Sequence, residues 1–415
     1  MKSKILALLG GALLSGTAMA GGYQVNLASQ RQIGMGHTGT GIQTGTSSIF
    51  FNPGAMSYLR ENGVTLGASA INSKIAFRAL EATTSTAEAD NDFGTPFQVY
   101  AVYGINEKLK VGLGVYTPFG SGVRWGDEWR GRYNLNEIDL KAVFFQPTIS
   151  YQITDKIGVG AGLVIATGAV NLQRVLPLQN QDGTEGGIEL DGGANTAFGF
   201  NAGIYFQPTE KFSLGLSYRS KVDLEVEDGD VNFSNIPDIA KPLFPDGTTF
   251  SAELPMPSTI SLGIGYRPSE RLTLAADVSR VGWSAYEKLR FDFSQAVGRP
   301  APEGLVSESD RNYEDAMIYR IGGEYMATDA LAVRAGAYYD QTPVQDGYLT
   351  PETPDADSRG LSVGLGYTIS NFVIDASFLY INKKERTDTA ELSGSTAGTF
   401  KSVAYIPGLG VTYKF

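Results

Sequence analysis

The chain has 415 residues, with 51 Gly, 21 Tyr, 21 Phe, three Trp and no Cys, and charged residues make up 19%. The lack of cysteine excludes disulfides and Cys-ligated metals, and a formal net charge of −11 argues against a nucleic-acid partner, because phosphate binding needs a basic face. No run of about 20 apolar residues follows residue 20, which excludes membrane-spanning helices there.

In chain order, Lys2 and Lys4 precede an apolar segment at 5–14, and Ala18-Met19-Ala20 gives the small-x-small pattern of a signal-peptidase site. Residues 1–20 are therefore read as a secretory signal, with the mature chain starting at Gly21. Residues 21–59 follow (GGYQVNLASQRQIGMGHTGTGIQTGTSSIFFNPGAMSYL), dense in Gly, Ser and Thr and without sustained helical or strand period. About forty such residues bury no core of their own. They are expected to form a plug inside something larger, with a barrel at 60–415 supplying the packing.

From there the chain alternates apolar and small or polar residues to its end. One phrase recurs six times: a strand ending in Tyr, a short polar turn, then an apolar residue that starts the next alternation. The copies are Tyr103-GINEK-Leu109, Tyr151-QITDK-Ile157, Tyr205-FQPTEK-Phe212, Tyr266-RPSER-Leu272, Tyr325-MATDA-Leu331 and Tyr367-TISN-Phe372. Six tight turns join twelve strands; one strand precedes them (about 63–77) and one follows (about 400–415), giving fourteen. Long connections fall on the opposite side, at about 78–92, 120–140, 173–193, 227–252, 294–312, 342–358 and 386–399. Short turns on one side and long loops on the other is the pattern of an outer-membrane β-barrel.

The alternation assigns faces. In the last strand Val403, Tyr405, Leu409, Val411, Tyr413 and Phe415 share one side, and Ser402, Ala404, Gly408, Gly410, Thr412 and Lys414 the other, with Ile406 and Pro407 breaking the pattern. One side suits lipid and the other a small or polar lumen. The repeated Tyr is expected at a membrane interface. The fold class is thus all-β: a 14-stranded antiparallel transmembrane barrel with a short N-terminal plug, in the outer membrane of a Gram-negative bacterium.

The plug carries Ser48-Ile-Phe-Phe-Asn52-Pro53-Gly54-Ala55, and its surroundings resemble the start of the FadL-type long-chain fatty acid transporters, whose plug bears an Asn-Pro-Ala signature; here Gly54 stands at the third position. Further matches come in order: Tyr116-Thr-Pro-Phe-Gly120, Ala197-Phe-Gly-Phe-Asn-Ala-Gly203, Tyr218-Arg-Ser220 and Asp340-Gln-Thr-Pro-Val344. The resemblance implies ligand-gated passive diffusion of a hydrophobic compound, captured among the loops, held inside the barrel and released sideways through a gap at an inward kink of the third strand. It implies that Asn52, Pro53 and Gly54 belong to the plug or gate, that residues 21–27 move, and that Pro118, Phe119, Gly120 and Gly203 border the gap. Pro118 lacks a ladder donor and Gly120 tolerates unusual backbone angles; these residues alone fit an interrupted strand or an ordinary strand end equally well. The resemblance also points to Asp340, to Arg174 as a ligand carboxylate contact, and to Ser309 with Arg311 two residues on where a second basic contact would fall.

Long-chain fatty acids are the expected cargo, with neutral or aromatic hydrocarbons as the alternative. Burial of an acyl chain gives about 0.8 kcal/mol per methylene, while a carboxylate taken into such a pocket needs a partner such as an arginine. Leu243 and Phe244, with Ile236 and Ile239 between prolines, offer a capture surface. Trp125 and Trp129 suit loop packing or lipopolysaccharide contact as well as ligand contact. No enzyme is expected: His37 is the one histidine, it lies in the plug, where a structural hydrogen-bonding role is expected, and no Ser or Asp stands in a nucleophile's context. No cofactor or metal is implied. A general porin is disfavoured by a plug in so narrow a barrel; adhesin or phage-receptor roles are compatible with exposed loops. Outer-membrane lipid is the remaining partner, and a lateral exit favours a monomer.

Overall fold

The computed structural model describes residues 21–389, except 83 and 85, and residues 396–415; the signal expected at 1–20 and parts of the first and last long connections lie outside the described residues. Fourteen antiparallel strands close into a barrel. They are β1 (Gly63–Ser69 continued by Asn72–Ala79), β2 (Phe97–Gly104), β3 (Leu109–Arg124), β4 (Glu137–Thr154) and β5 (Ile157–Gln179). Next come β6 (Glu185–Thr209), β7 (Phe212–Arg219 with Val222–Ser234), β8 (Thr249–Met256 with Thr259–Ser269), β9 (Leu272–Val281 with Lys288–Phe293) and β10 (Val306–Asp310 with Ala316–Met326). The circuit ends with β11 (Leu331–Asp340), β12 (Ser358–Ile369), β13 (Phe372–Lys383) and β14 (Gly398–Lys414). Closure is direct: β14 pairs with β13 and also with β1, Val64 facing Tyr413.

Local chemistry sets the tight turns. Asn106 accepts through Oδ1 from the amides of Lys108 and Leu109, both at 2.9 Å, and the hydroxyls of Thr154 and Thr328 do the same for Lys156–Ile157 and Ala330–Leu331. Such side-chain turns spare the backbone donors at a reversal. Alternation then decides the faces: Leu66, Leu262, Ile321, Leu361 and Leu409 point out and are exposed, while Ser362, Ser377, Ser402 and Gln146 point in and are buried. An apolar exterior with a polar interior is stable only in lipid.

The expected interface tyrosines Tyr103, Tyr151, Tyr266, Tyr325 and Tyr367 face outward, 46% to 53% exposed, but Tyr205 is 1% exposed. Its copy of the phrase is one residue longer, which reverses its parity: Phe206 takes the outward place, and Tyr205 packs on Tyr58 of the plug, ring centroids 5.1 Å apart. Two expected loops also differ. Most of 173–193 continues the β5–β6 ladder, with Leu172 facing Leu190 and Arg174 facing Ile188. Above the lipid the outward residues Glu189 and Asp191 are charged, so an extended strand there has a loop's composition. The 342–358 connection folds inward, burying Val344, Leu349 and Ala356; Asp388 accepts from the amides of Gly347 and Leu349 at 3.0 and 3.1 Å, and the Trp125 indole donates to Pro351 O at 3.1 Å. Trp125 and Trp129 stack at 4.5 Å against Phe77 and Phe400 and are buried, so they serve loop packing.

Residues 21–59 fill the lower and middle lumen with three short helices, α1 (Gln30–Gly34), α2 (Ser48–Phe51) and α3 (Pro53–Met56). Asn52 caps α3, its Oδ1 accepting from Gly54 N–H at 3.0 Å, and Pro53 follows at the first helical position, where no amide is missed. The Asn52 amide group also donates to Thr40 O and to Ile204 O of β6, at 2.9 and 3.0 Å. On the other side Arg31 pairs with Glu324 at 2.7 Å, which also binds Arg334, itself paired with Asp375 at 2.6 Å. The plug is thus bolted to the wall at β6 and at β10–β13.

Candidate ligand site in the barrel lumen

Above the plug the inward faces of β4 to β9 turn apolar around a cavity. Leu140 and Leu172 stand on one wall, Leu224, Leu254, Leu289 and Phe291 on the other, and Tyr23 of the plug forms the floor. This lining suits a hydrophobic ligand. Arg311 and Glu352 line the cavity beside these residues. Arg311 is 3% exposed, contacts the Ser309 hydroxyl and forms an ion pair with Glu352 at 3.4 Å.

The residues singled out in the sequence divide accordingly. Arg311 lines the cavity. Arg174 stands on β5 two residues above Leu172, with Glu352 as its electrostatic neighbour. Lys141, paired with Asp139 at 2.7 Å, and Glu253 also stand on the lining. Leu243 and Phe244 lie outside the cavity: Leu243 ends a short 3-10 turn, Lys241–Leu243, and Phe244 packs edge-on against Phe233 at 5.3 Å. The cavity's own leucines were not singled out, although parity reaches them: on β4, Ser150, Thr148 and Gln146 give way on the same face to Phe144, Ala142, Leu140 and Ile138. The change from polar to apolar on one face marks where the plug stops and the cavity starts.

The third strand breaks where Pro118 stands. Its last partner on β2 is Gln98, opposite Tyr116, and its register with β4 slips between Tyr116 and Phe119. The vacated edge is taken by the plug: Val25 N–H donates to Pro118 O at 2.7 Å, Gly120 N–H to Tyr23 O at 3.0 Å, and Gln24 pairs with Phe119. Pro118 offers a carbonyl but no amide, so it suits an edge that leaves the ladder. The same segment is held at its start, with Gly21 N–H donating to Asp340 at 3.1 Å and Gly22 N–H to Asp355 at 3.2 Å.

Gly203 lies elsewhere than beside this break. The ladder runs from Lys110 through Ser150 and Gly160 to Gly203, three strands away from β3 and a row well below Pro118. There it faces Asn52 and Pro53; a Cβ on Gly203 would stand 2.8 Å from the Pro53 ring. Its small size serves plug docking. The same holds for Gly54, where a Cβ would meet the carbonyl oxygens of Gly158 and Gly203 at 2.8 Å.

His37 is buried in the plug with a left-handed φ of 62° and edge-on to Tyr338 at 5.5 Å; its amide donates to Gln32 O at 2.7 Å, while its Nε2 has no hydrogen-bond partner among the described residues. The hydrogen bonding expected of it therefore comes from its backbone. Burial first, and nearby Arg320 second, hold its pKa down to about 3, so the imidazole is neutral. Beneath the plug a vestibule has walls bearing Arg31, Arg60, Glu61, Lys211, Glu270 and Lys414, a polar surface that disfavours an acyl chain.

A lipid-facing barrel, a plugged lumen and an apolar cavity define an outer-membrane transporter of hydrophobic compounds. Residues 11–415 match the family described as outer membrane protein transport protein (OMPP1/FadL/TodX), and the chain belongs to that family. It is 28% identical to a 47 kDa outer membrane protein of Pasteurella multocida, covering 97% of this chain and 96% of that one. It is 23% identical to a long-chain fatty acid transport protein of Escherichia coli, with the same coverages. Among solved structures, a FadL homologue of Pseudomonas aeruginosa superposes with a TM-score of 0.81 at 21% identity, over 95% of this chain and all of that one. The Ralstonia pickettii toluene transporter TbuX gives 0.68 at 20% identity, over 92% and 97%. At these identities the structural likeness concerns the fold.

Proposed function

We propose that the protein carries long-chain fatty acids inward by passive diffusion, binding them in the upper cavity and releasing them sideways beside the break in β3. The observation that carries this reading is the apolar cavity with Arg311 on its lining, Arg174 nearby and one carboxylate, Glu352, between the two. A ligand carboxylate would find guanidinium donors there, while each buried methylene adds about 0.8 kcal/mol. The sideways exit is supported by contrast: below the plug the walls are charged, whereas at Pro118 only residues 23–25 stand along the free strand edge. Neutral hydrocarbons are the second reading, favoured by the ion pair that Arg311 already makes with Glu352.

The test is uptake of radiolabelled oleate against toluene in cells lacking their own transporter, for this protein and its Arg174→Ala variant. Oleate entry that depends on Arg174 supports the acid; entry of toluene alone moves the cargo to hydrocarbons.

A further inference from the structure

Below residues 23–26 a second cavity opens between the plug and strands β7 to β10. Gln24 and Asn26 line it on the plug side, while Arg219 and Arg320 project from the wall. The N-terminal segment is thus a partition, with Tyr23 in the upper cavity and its next residues in the lower one. The lower cavity is polar, with Thr259, Ser261 and Ser279 on its wall.

Of its two arginines, Arg219 is held by neutral groups alone. Arg219 donates to the Tyr116 hydroxyl and to Phe50 O at 3.1 Å, and its guanidinium lies over the Phe50 and Tyr116 rings at 4.5 and 5.3 Å. Arg320 donates to Ser279 Oγ at 2.8 Å. Neither forms an ion pair among the described residues. Asp277 also lines this cavity: its Oδ2 accepts from the amides of Gly39 and Thr40 at 2.7 and 2.9 Å, its Oδ1 has no partner among the described residues, and it and Asp340, which accepts from Gly21, are the electrostatic neighbours of Arg320. An arginine inside a barrel ordinarily takes a carboxylate partner, because desolvating its charge is costly otherwise. Arg219 is also bonded to Tyr116, the last residue of β3 that still pairs with β2.

We infer that Arg219, assisted by Arg320, is a second carboxylate station on the route of an acidic amphiphile, receiving the headgroup after it passes the N-terminal segment and holding it beside the break in β3. The inference rests on the fatty-acid reading above and extends it from one headgroup contact to a relay. In it the ligand carboxylate replaces Tyr116 and Phe50 O as the partner of Arg219, which gives two hydrogen bonds to an anion in place of bonds to neutral acceptors and frees Tyr116 at the strand edge. An acid would then loosen the exit by binding beside it, and a neutral hydrocarbon would gain nothing there.

The test compares oleate and toluene uptake for wild type, Arg219→Gln, Arg219→Lys and Arg320→Gln, each confirmed as a folded barrel by its heat-dependent gel mobility. Binding of a fluorescent fatty acid to the purified proteins reports the upper cavity. Loss of a charge-assisted contact corresponds to about ten-fold. Arg219→Gln should therefore cut oleate entry about ten-fold with toluene entry and fatty-acid affinity unchanged; Arg219→Lys should retain most entry, and Arg320→Gln should show a smaller loss of the same selectivity. Equal loss of both cargoes, or of neither, overturns the relay and leaves Arg219 as a brace between Phe50 and Tyr116. Wild type that takes up toluene but no oleate marks failure of the fatty-acid reading instead, and is told apart from relay failure by the wild-type control.

Discussion

The amide of Val25 donates to the carbonyl of Pro118 at 2.7 Å, so the plug's first residues serve as the strand that β3 loses when it parts from β2. A wall strand closed by a plug segment, instead of by another wall strand, is held by few bonds and can be opened without unfolding the barrel. On the proposed sideways route, the strength of those few bonds sets how readily the wall opens.

Replacing Val25 by proline removes this donor while leaving the Gly120 to Tyr23 bond in place. One such bond is worth about 1 kcal/mol, which is about a five-fold rise in the detached population of the segment. Cells carrying Val25→Pro should become several-fold more sensitive to bulky hydrophobic antibiotics. Sensitivity equal to wild type would mean that the segment does not seal the wall.

The plug signature gives a second prediction. At Gly54 a Cβ would press on the backbone of Gly158, Gly203 and Tyr205 at 2.8 Å. Backbone in a closed ladder yields poorly, and overpacking of this kind costs about 1–3 kcal/mol. Gly54→Ala should make the plug cleavable by protease added from the periplasmic side, with barrel gel mobility unchanged.

Parity and turn chemistry make much of this fold legible in the chain alone. Strand count and lipid-facing residues come from a period of two, which the membrane enforces from Leu66 to Leu409. Tyr205 escapes because a single extra turn residue inverts parity, and the β5–β6 ladder escapes because above the lipid its outward side chains are charged. Arg311 can be placed by resemblance. Its pairing with Glu352 cannot, because that depends on the 342–358 connection folding inward, a tertiary event without a local signal. The neighbours of Gly203 are hidden for a related reason: a glycine reports close approach but not of what.

The ion network under the plug gives a third prediction. Glu324 is shared by Arg31 of the plug and Arg334 of the wall at 2.7 and 2.6 Å. Removing the shared anion leaves two cations facing each other, and breaking a buried pair this way costs about 3–5 kcal/mol. Glu324→Ala should lower the temperature of the folded-to-unfolded gel shift substantially, and Arg31→Ala, which leaves the Arg334 bond, should lower it less. The reverse order would place the anchor elsewhere.

The cavity lining gives the last prediction, and it separates the two faces of one strand. On β7, Leu224 lines the upper cavity while Glu225, one residue on, is exposed on the other face. Leu224→Asn keeps the branched shape but removes apolar surface and adds an amide that a bound chain cannot satisfy, at a cost of about 1–3 kcal/mol. Affinity for a fluorescent fatty acid should fall about ten-fold or more in Leu224→Asn. Glu225→Gln should bind as wild type does, because its side chain never meets the ligand. Since both variants sit on one ladder, a local distortion of β7 would weaken both, and only loss confined to Leu224 locates the ligand in the cavity.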